Sequence, residues 1–98
     1  MNNITKVSQV TYQDVAEYLR ITELSADDIK TLNNLITVAK AFITSYTGQT
    51  DLDKHQDFVI VLLILCQDMW DNRTMYVDTK NLSYVVETIL GMHQVNLL

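Results

Sequence analysis

Residues 58–66 form an unbroken run of nine apolar side chains. Beyond it the chain turns one-sided, with Met69 and Trp70 set against Gln67, Asp68 and Asp71. A membrane span needs about 20 apolar residues, so a run this short reads as the buried core of a helix. A helix that is apolar on every side must be covered on every side. In a chain of 98 residues one partner helix cannot do that. Other helices of the chain must wrap it, or a neighbouring subunit must.

The rest of the sequence is suited to supply such helices. It has no proline and two glycines, Gly48 and Gly91, which helices tolerate and turn-rich β folds usually do not. With 48% apolar residues the composition is globular, and the length suits one domain. Two helix starts carry the same device. Thr11 can cap with Asp14 at the third helical position, and Val10 can staple to Val15. Ser25 can cap with Asp28 at the third position, and Leu24 can staple to Ile29. Helical periodicity then predicts four helices, over residues 12–20, 26–47, 55–72 and 82–90. Gly48 and Gly91 are placed to end the second and fourth. The last of these puts Leu82, Val85, Val86, Ile89 and Leu90 on one face. The expected fold class is all-α, a small bundle of about four helices around the third. Residues 1–9 read as a flexible polar arm, 10–91 as the single helical domain and 92–98 as a tail. The apolar tail residues Val95, Leu97 and Leu98 call for docking, on this chain or on another.

Charge excludes some functions. Seven basic residues face twelve acidic ones, for a net charge of −5, and no Lys or Arg cluster exists. Neutralising phosphates is the main source of nucleic-acid affinity, so no sequence-specific nucleic acid is expected, and an anionic membrane is disfavoured for the same reason. A helix-turn-helix DNA reader built on the first two helices has too few cations. Residues 1–9 lack the layout of a signal peptide. Without such a signal, the glycosylation patterns at Asn3, Asn72 and Asn81 carry no weight. A lone cysteine, Cys66, fits a reducing compartment.

No catalytic residue, cofactor or metal ligand emerges. Asp51, Asp53, His55 and Asp57 alternate like the start of a calcium loop. The turn position that needs glycine is Gln56, however, and the closing carboxylate would fall on Leu62. They read as acidic charge at a helix start. His55 and His93 have no partner at metal-ligand spacing and read as surface or loop histidines. Asp68 and Asp71, one turn apart, read as a solvated face, and Cys66 as a core residue. With no phosphate-cradling glycine loop or nucleophile elbow, the chain is expected not to be an enzyme. What remains is Trp70-Asp71-Asn72-Arg73. Trp and Arg commonly anchor interfaces; equally, Trp70 can fill the core while Arg73 caps the helix end or pairs with Asp14 or Glu17.

Three segments carry a family resemblance. Val10-Thr11-Tyr12-Gln13-Asp14-Val15-Ala16-Glu17-Tyr18-Leu19-Arg20-Ile21 resembles the opening of the small head–tail connector proteins of tailed bacteriophages, the QLRG family of DNA-packaging proteins. Ala41-Phe42-Ile43-Thr44-Ser45-Tyr46-Thr47-Gly48 resembles the end of that family's long helix. Met69-Trp70-Asp71-Asn72-Arg73 is similar to its aromatic, acid, Asn-Arg ending. The loop at 73–80 lacks the proline and glycine of the family, and the tail after Gly91 follows no family pattern.

The resemblance implies a structural adaptor that forms a homo-oligomeric ring beneath the portal protein. Such a ring extends the DNA channel and docks the next neck, stopper or tail protein. It implies a place in the virion neck, reached from the host bacterial cytoplasm during assembly. Trp70, Arg73, Met75, Tyr76, Val95, Leu97 and Leu98 are the residues expected to mediate assembly. The competing class is a small helical regulatory protein that binds and sequesters a phage or host protein.

Overall fold

A computed structural model describes residues 4–95. It holds four helices, α1 (Tyr12–Tyr18), α2 (Ala26–Thr47), α3 (Phe58–Asn72) and α4 (Tyr84–Met92), with 3-10 turns at Val7–Gln9, Leu52–Lys54 and Thr79–Asn81. No strand occurs among the described residues. The protein is all-helical, a small four-helix bundle.

Local chemistry sets the helix starts. Thr11 N–H donates to the Asp14 carboxylate at 2.8 Å, and Asp14 N–H donates back to the Thr11 hydroxyl at 3.4 Å. The Ser25–Asp28 pair closes the same way, at 3.1 Å in each direction. Both boxes satisfy amide groups that a helix start otherwise leaves unpaired. At α4 the Ser83 hydroxyl accepts from Val86 N–H at 3.2 Å.

The apolar run becomes the pillar of the fold. Phe58, Val59, Val61, Leu62, Leu63, Leu65, Cys66 and Met69 are all buried along α3. α2 covers one side with Leu32, Leu35, Ile36, Ala39 and Ile43, spaced three and four apart. α4 covers another with Val86 and Leu90, and α1 a third with Val15 and Ala16. This chain alone therefore wraps its central helix almost completely. The outward stripe is Ile60, 39% exposed, and the half-buried Ile64.

Several expected boundaries need correction. Helix one ends at Tyr18 rather than at residue 20, because Arg20 turns left-handed at φ 60°. Ile21 N–H then reaches back to the Ala16 carbonyl at 2.9 Å, and Arg20 N–H to that of Glu17 at 3.1 Å. These are the paired bonds of a Schellman stop. α3 ends alike: Arg73 sits at φ 55°, with Thr74 N–H on the Met69 carbonyl and Arg73 N–H on that of Trp70. α3 starts at Phe58 rather than at residue 55, because the Asp51 side chain accepts from Asp53 N–H and organises a separate turn. α4 begins at Tyr84 rather than at residue 82, runs through Gly91 and ends at Met92. Val85, expected on its apolar face, is 47% exposed. The described part of the presumed arm packs down, with Val7 2% exposed and Ile4 against the core.

Candidate functional site

The Tyr46-Thr47-Gly48 stop and the connection after it form a hub for both ends of the described chain. Gly48 takes φ 75°, and its N–H donates to the Thr44 carbonyl at 2.8 Å. That left-handed turn is cheap for glycine alone. It frees the Thr47 carbonyl, which accepts from Val95 N–H at 2.6 Å. The Gln94 side chain donates to the Tyr46 carbonyl at 3.3 Å, and the Gln49 side chain to that of His93 at 2.8 Å. Thr47 itself is buried, its hydroxyl donating to the Ile43 carbonyl and accepting from Gln49 N–H. From the other direction, the Ser8 backbone N–H and hydroxyl both donate to the Asp53 carboxylate, at 2.9 and 2.8 Å. These bonds hold the Asp53 carboxyl below its ordinary range, the Ser8 backbone N–H first.

At the edge of this hub three potential metal ligands converge. His55 lies in the connection, Asp57 immediately precedes α3, and His93 immediately follows α4. The His93 ring Nε2 lies 2.8 Å from Asp57 Oδ2. The His55 and His93 rings stack with centroids 3.9 Å apart, and Phe58 meets each edge-on at 5.1 Å. One ligand atom from each of His55, Asp57 and His93 lies within 4.8 Å of the others. The sequence reading missed this cluster because Asp57 and His93 are 36 residues apart. The two histidines, read as ordinary surface or loop residues, are partly buried and packed on each other. The alternating acids are less a single helix-start cluster than a set of separate fasteners: Asp51 on its own turn, Asp53 on Ser8 and Asp57 on His93.

The residues expected to mediate assembly fall in two places. Trp70, Arg73 and Met75 line one shallow groove with Thr31 and Leu35. The Arg73 guanidinium lies over the Trp70 ring, 4.7 Å from its centroid. Trp70 also packs against the core, so the core-filling and helix-ending readings of this pair both describe what these residues do. Tyr76 lines a neighbouring groove with Asp68, Asn72, Asn81 and Ser83. Burial, and then the adjacent Asp71 charge, hold the Asp68 carboxyl above its ordinary range. Val95 sits elsewhere, against Gly48 at the hub. Leu97 and Leu98 lie outside the described residues.

Most of the exposed large apolar side chains among the described residues belong to α4 and the loop leading to it. Tyr84 is 81% exposed, Met92 65% and Tyr76 64%, joined by Met75 and Val85. Cys66 is sealed in the core, where burial pushes its thiol up to about 12, so it is no nucleophile at neutral pH. No helix among the described residues is long and apolar enough to cross a membrane. No family model matches the chain, and neither a curated protein nor a solved structure matches it.

Proposed function

We propose that this protein is a structural adaptor of a bacteriophage head–tail connector. In this reading it sits as a ring of copies beneath the portal, extends the DNA channel and offers a docking surface to the next neck or tail component. The observation that carries the proposal is the second apolar face of α4. Val86 and Leu90 already anchor that helix to α3, yet Tyr84, Val85 and Met92 are exposed on it, and Met75 and Tyr76 are exposed in the loop that precedes it. An exposed apolar surface of this kind suits a protein partner, and a ring requires a heterologous interface that closes on itself.

Two further features support the reading. Each of the three segments that resemble the connector family ends in a helix stop: at Arg20, at Gly48 and at Arg73. The net charge of −5 suits a conduit through which DNA slides, since contact with it releases few counterions.

The test is assembly. Sedimentation velocity at rising concentration, alone and with a purified portal protein, should show a large complex. Tyr84→Glu and Met92→Glu should abolish that complex while leaving the helical circular dichroism unchanged. A chain that stays monomeric at every concentration and also ignores the portal overturns the proposal.

A further inference from the structure

We propose that His55, Asp57 and His93 bind one divalent ion of the zinc class, which fastens the segment after α4 to the start of α3. The donor atoms already lie within 4.8 Å of one another. A tetrahedral zinc site with ligand bonds of about 2.0–2.2 Å places its donors roughly 3.4 Å apart. Binding requires the side chains to turn. The His55 and His93 rings, 3.9 Å apart and tilted by 32°, must leave their stack so that both in-plane lone pairs meet one ion. The His93–Asp57 pair must open from 2.8 Å. Three protein ligands then leave the fourth position to water. Two imidazoles and one carboxylate favour zinc and its transition-metal neighbours over calcium or magnesium, which want oxygen ligands.

The surroundings leave these donors available. Asp57 makes no side-chain bond to the helix it precedes; its described partner is His93. The His55 ring is held by stacking on His93 and by the edge contact with Phe58. Its nitrogens have no hydrogen-bond partner among the described residues. The His93 and Asp57 side chains are 21% and 36% exposed, so an ion can reach them. Next to His93, Gln94 and Val95 close on the end of α2. Bound metal would thus pin that whole segment against both α2 and α3.

The experiment uses the full chain without a histidine tag, stripped with EDTA and titrated with ZnCl2 at pH 7.5. Calorimetry should show saturable binding at one ion per chain. At a hundredfold excess over Kd the melting temperature should rise by roughly 10 °C or more. Co2+ in place of zinc should give the visible absorption bands of a four-coordinate site. Outer-shell substitutions alone cost 10–100-fold in affinity, so His55→Ala should weaken zinc binding by more than about 100-fold. The His55 ring takes no part in the His93–Asp57 bond, so the metal-free protein should remain folded by circular dichroism. His93→Ala should lose the metal response as well. The proposal falls if zinc and cobalt show no saturable uptake, if His55→Ala binds like the unaltered chain, or if Ca2+ and Mg2+ give the same stabilisation.

Discussion

Val95 donates its backbone N–H to the carbonyl of Thr47 across 2.6 Å, and its side chain packs where Gly48 has none. Cβ of Val95 lies 3.4 Å from the point where a Gly48 Cβ would stand. The last carbonyls of a helix have no partner within it. Here the chain's own C-terminal segment supplies partners for two of them, through Val95 N–H and the Gln94 side chain. A helix stop in the middle of the sequence thereby becomes a docking point for a segment far beyond it.

Gly48→Ala should accordingly be costly through the backbone. The left-handed conformation at φ 75° costs an L-residue about 1–2 kcal/mol, while the new methyl would meet Val95 at an ordinary contact distance of 3.4 Å. A loss of about 1–2 kcal/mol in urea unfolding is expected, together with faster hydrogen exchange at the Val95 amide. Thr47→Val leaves the Gln49 N–H without its acceptor and should cost about 1–3 kcal/mol. If both variants unfold at the midpoint of the unaltered chain, the docking has no energetic weight.

How much of this could be read beforehand follows from how local each signal is. The bounds of α2 are legible because Ser25, Asp28 and Gly48 act on amides within a few residues of themselves. The pillar is legible because an all-round apolar helix has few other fates. The start of α3 is not, since His55, Gln56 and Asp57 continue the helical spacing while Asp53 is claimed by Ser8, 45 residues away. The His55–Asp57–His93 cluster is likewise a product of tertiary packing. Val85 faces solvent because Leu82 belongs to the preceding turn and not to α4, so the buried stripe centres on Val86 and Leu90, about 100° or more around the helix from Val85.

Arg20 and Arg73 end α1 and α3 in a conformation that favours glycine. Arg20→Gly should therefore stabilise the protein, by about 0.5–1 kcal/mol in denaturant unfolding. Arg73→Gly gains the same backbone relief but loses the guanidinium over Trp70, a contact worth about 0.5–1 kcal/mol at an exposed site. It should come out near neutral. A double comparison with Arg73→Gly in a Trp70→Phe background checks the split. If Arg20→Gly destabilises by more than about 1 kcal/mol, its side chain carries an interaction that outweighs the backbone strain.

Two carboxylates should respond to pH in opposite senses. Asp53 is held low by the Ser8 N–H, then by the Ser8 hydroxyl. Its contribution is present above the ordinary carboxylate range and is lost as pH falls through its lowered value. Acid should therefore release residues 4–9, seen as faster exchange at the Ser8 amide, and Asp53→Asn should mimic that release at neutral pH. Asp68 is held high by burial and then by Asp71. Its contribution is present at acid pH and lost as pH rises through its raised value. Asp68→Asn should thus be as stable as the unaltered chain at pH 7, or more so by about a few tenths of a kcal/mol. A clear destabilisation there would mean that the charged form makes a favourable contact.

Cys66 supplies a probe of the pillar itself. It is fully buried on α3, and desolvation pushes its thiol up to about 12. At pH 8 the thiolate fraction of such a group is on the order of 10⁻⁴, and the sulfur is also out of reach of any reagent. Labelling by a thiol-reactive dye must then wait for α3 to open. Its rate should follow the unfolding equilibrium, rising with urea in step with the loss of helical signal. Cys66→Ser sets a hydroxyl in the same apolar site and should cost about 1–3 kcal/mol, less to the extent that it bonds back to the Leu62 carbonyl one turn earlier. Labelling within seconds in native buffer would show that the helix opens locally. The bundle would then be held by α2 and the hub at its end rather than by its central helix.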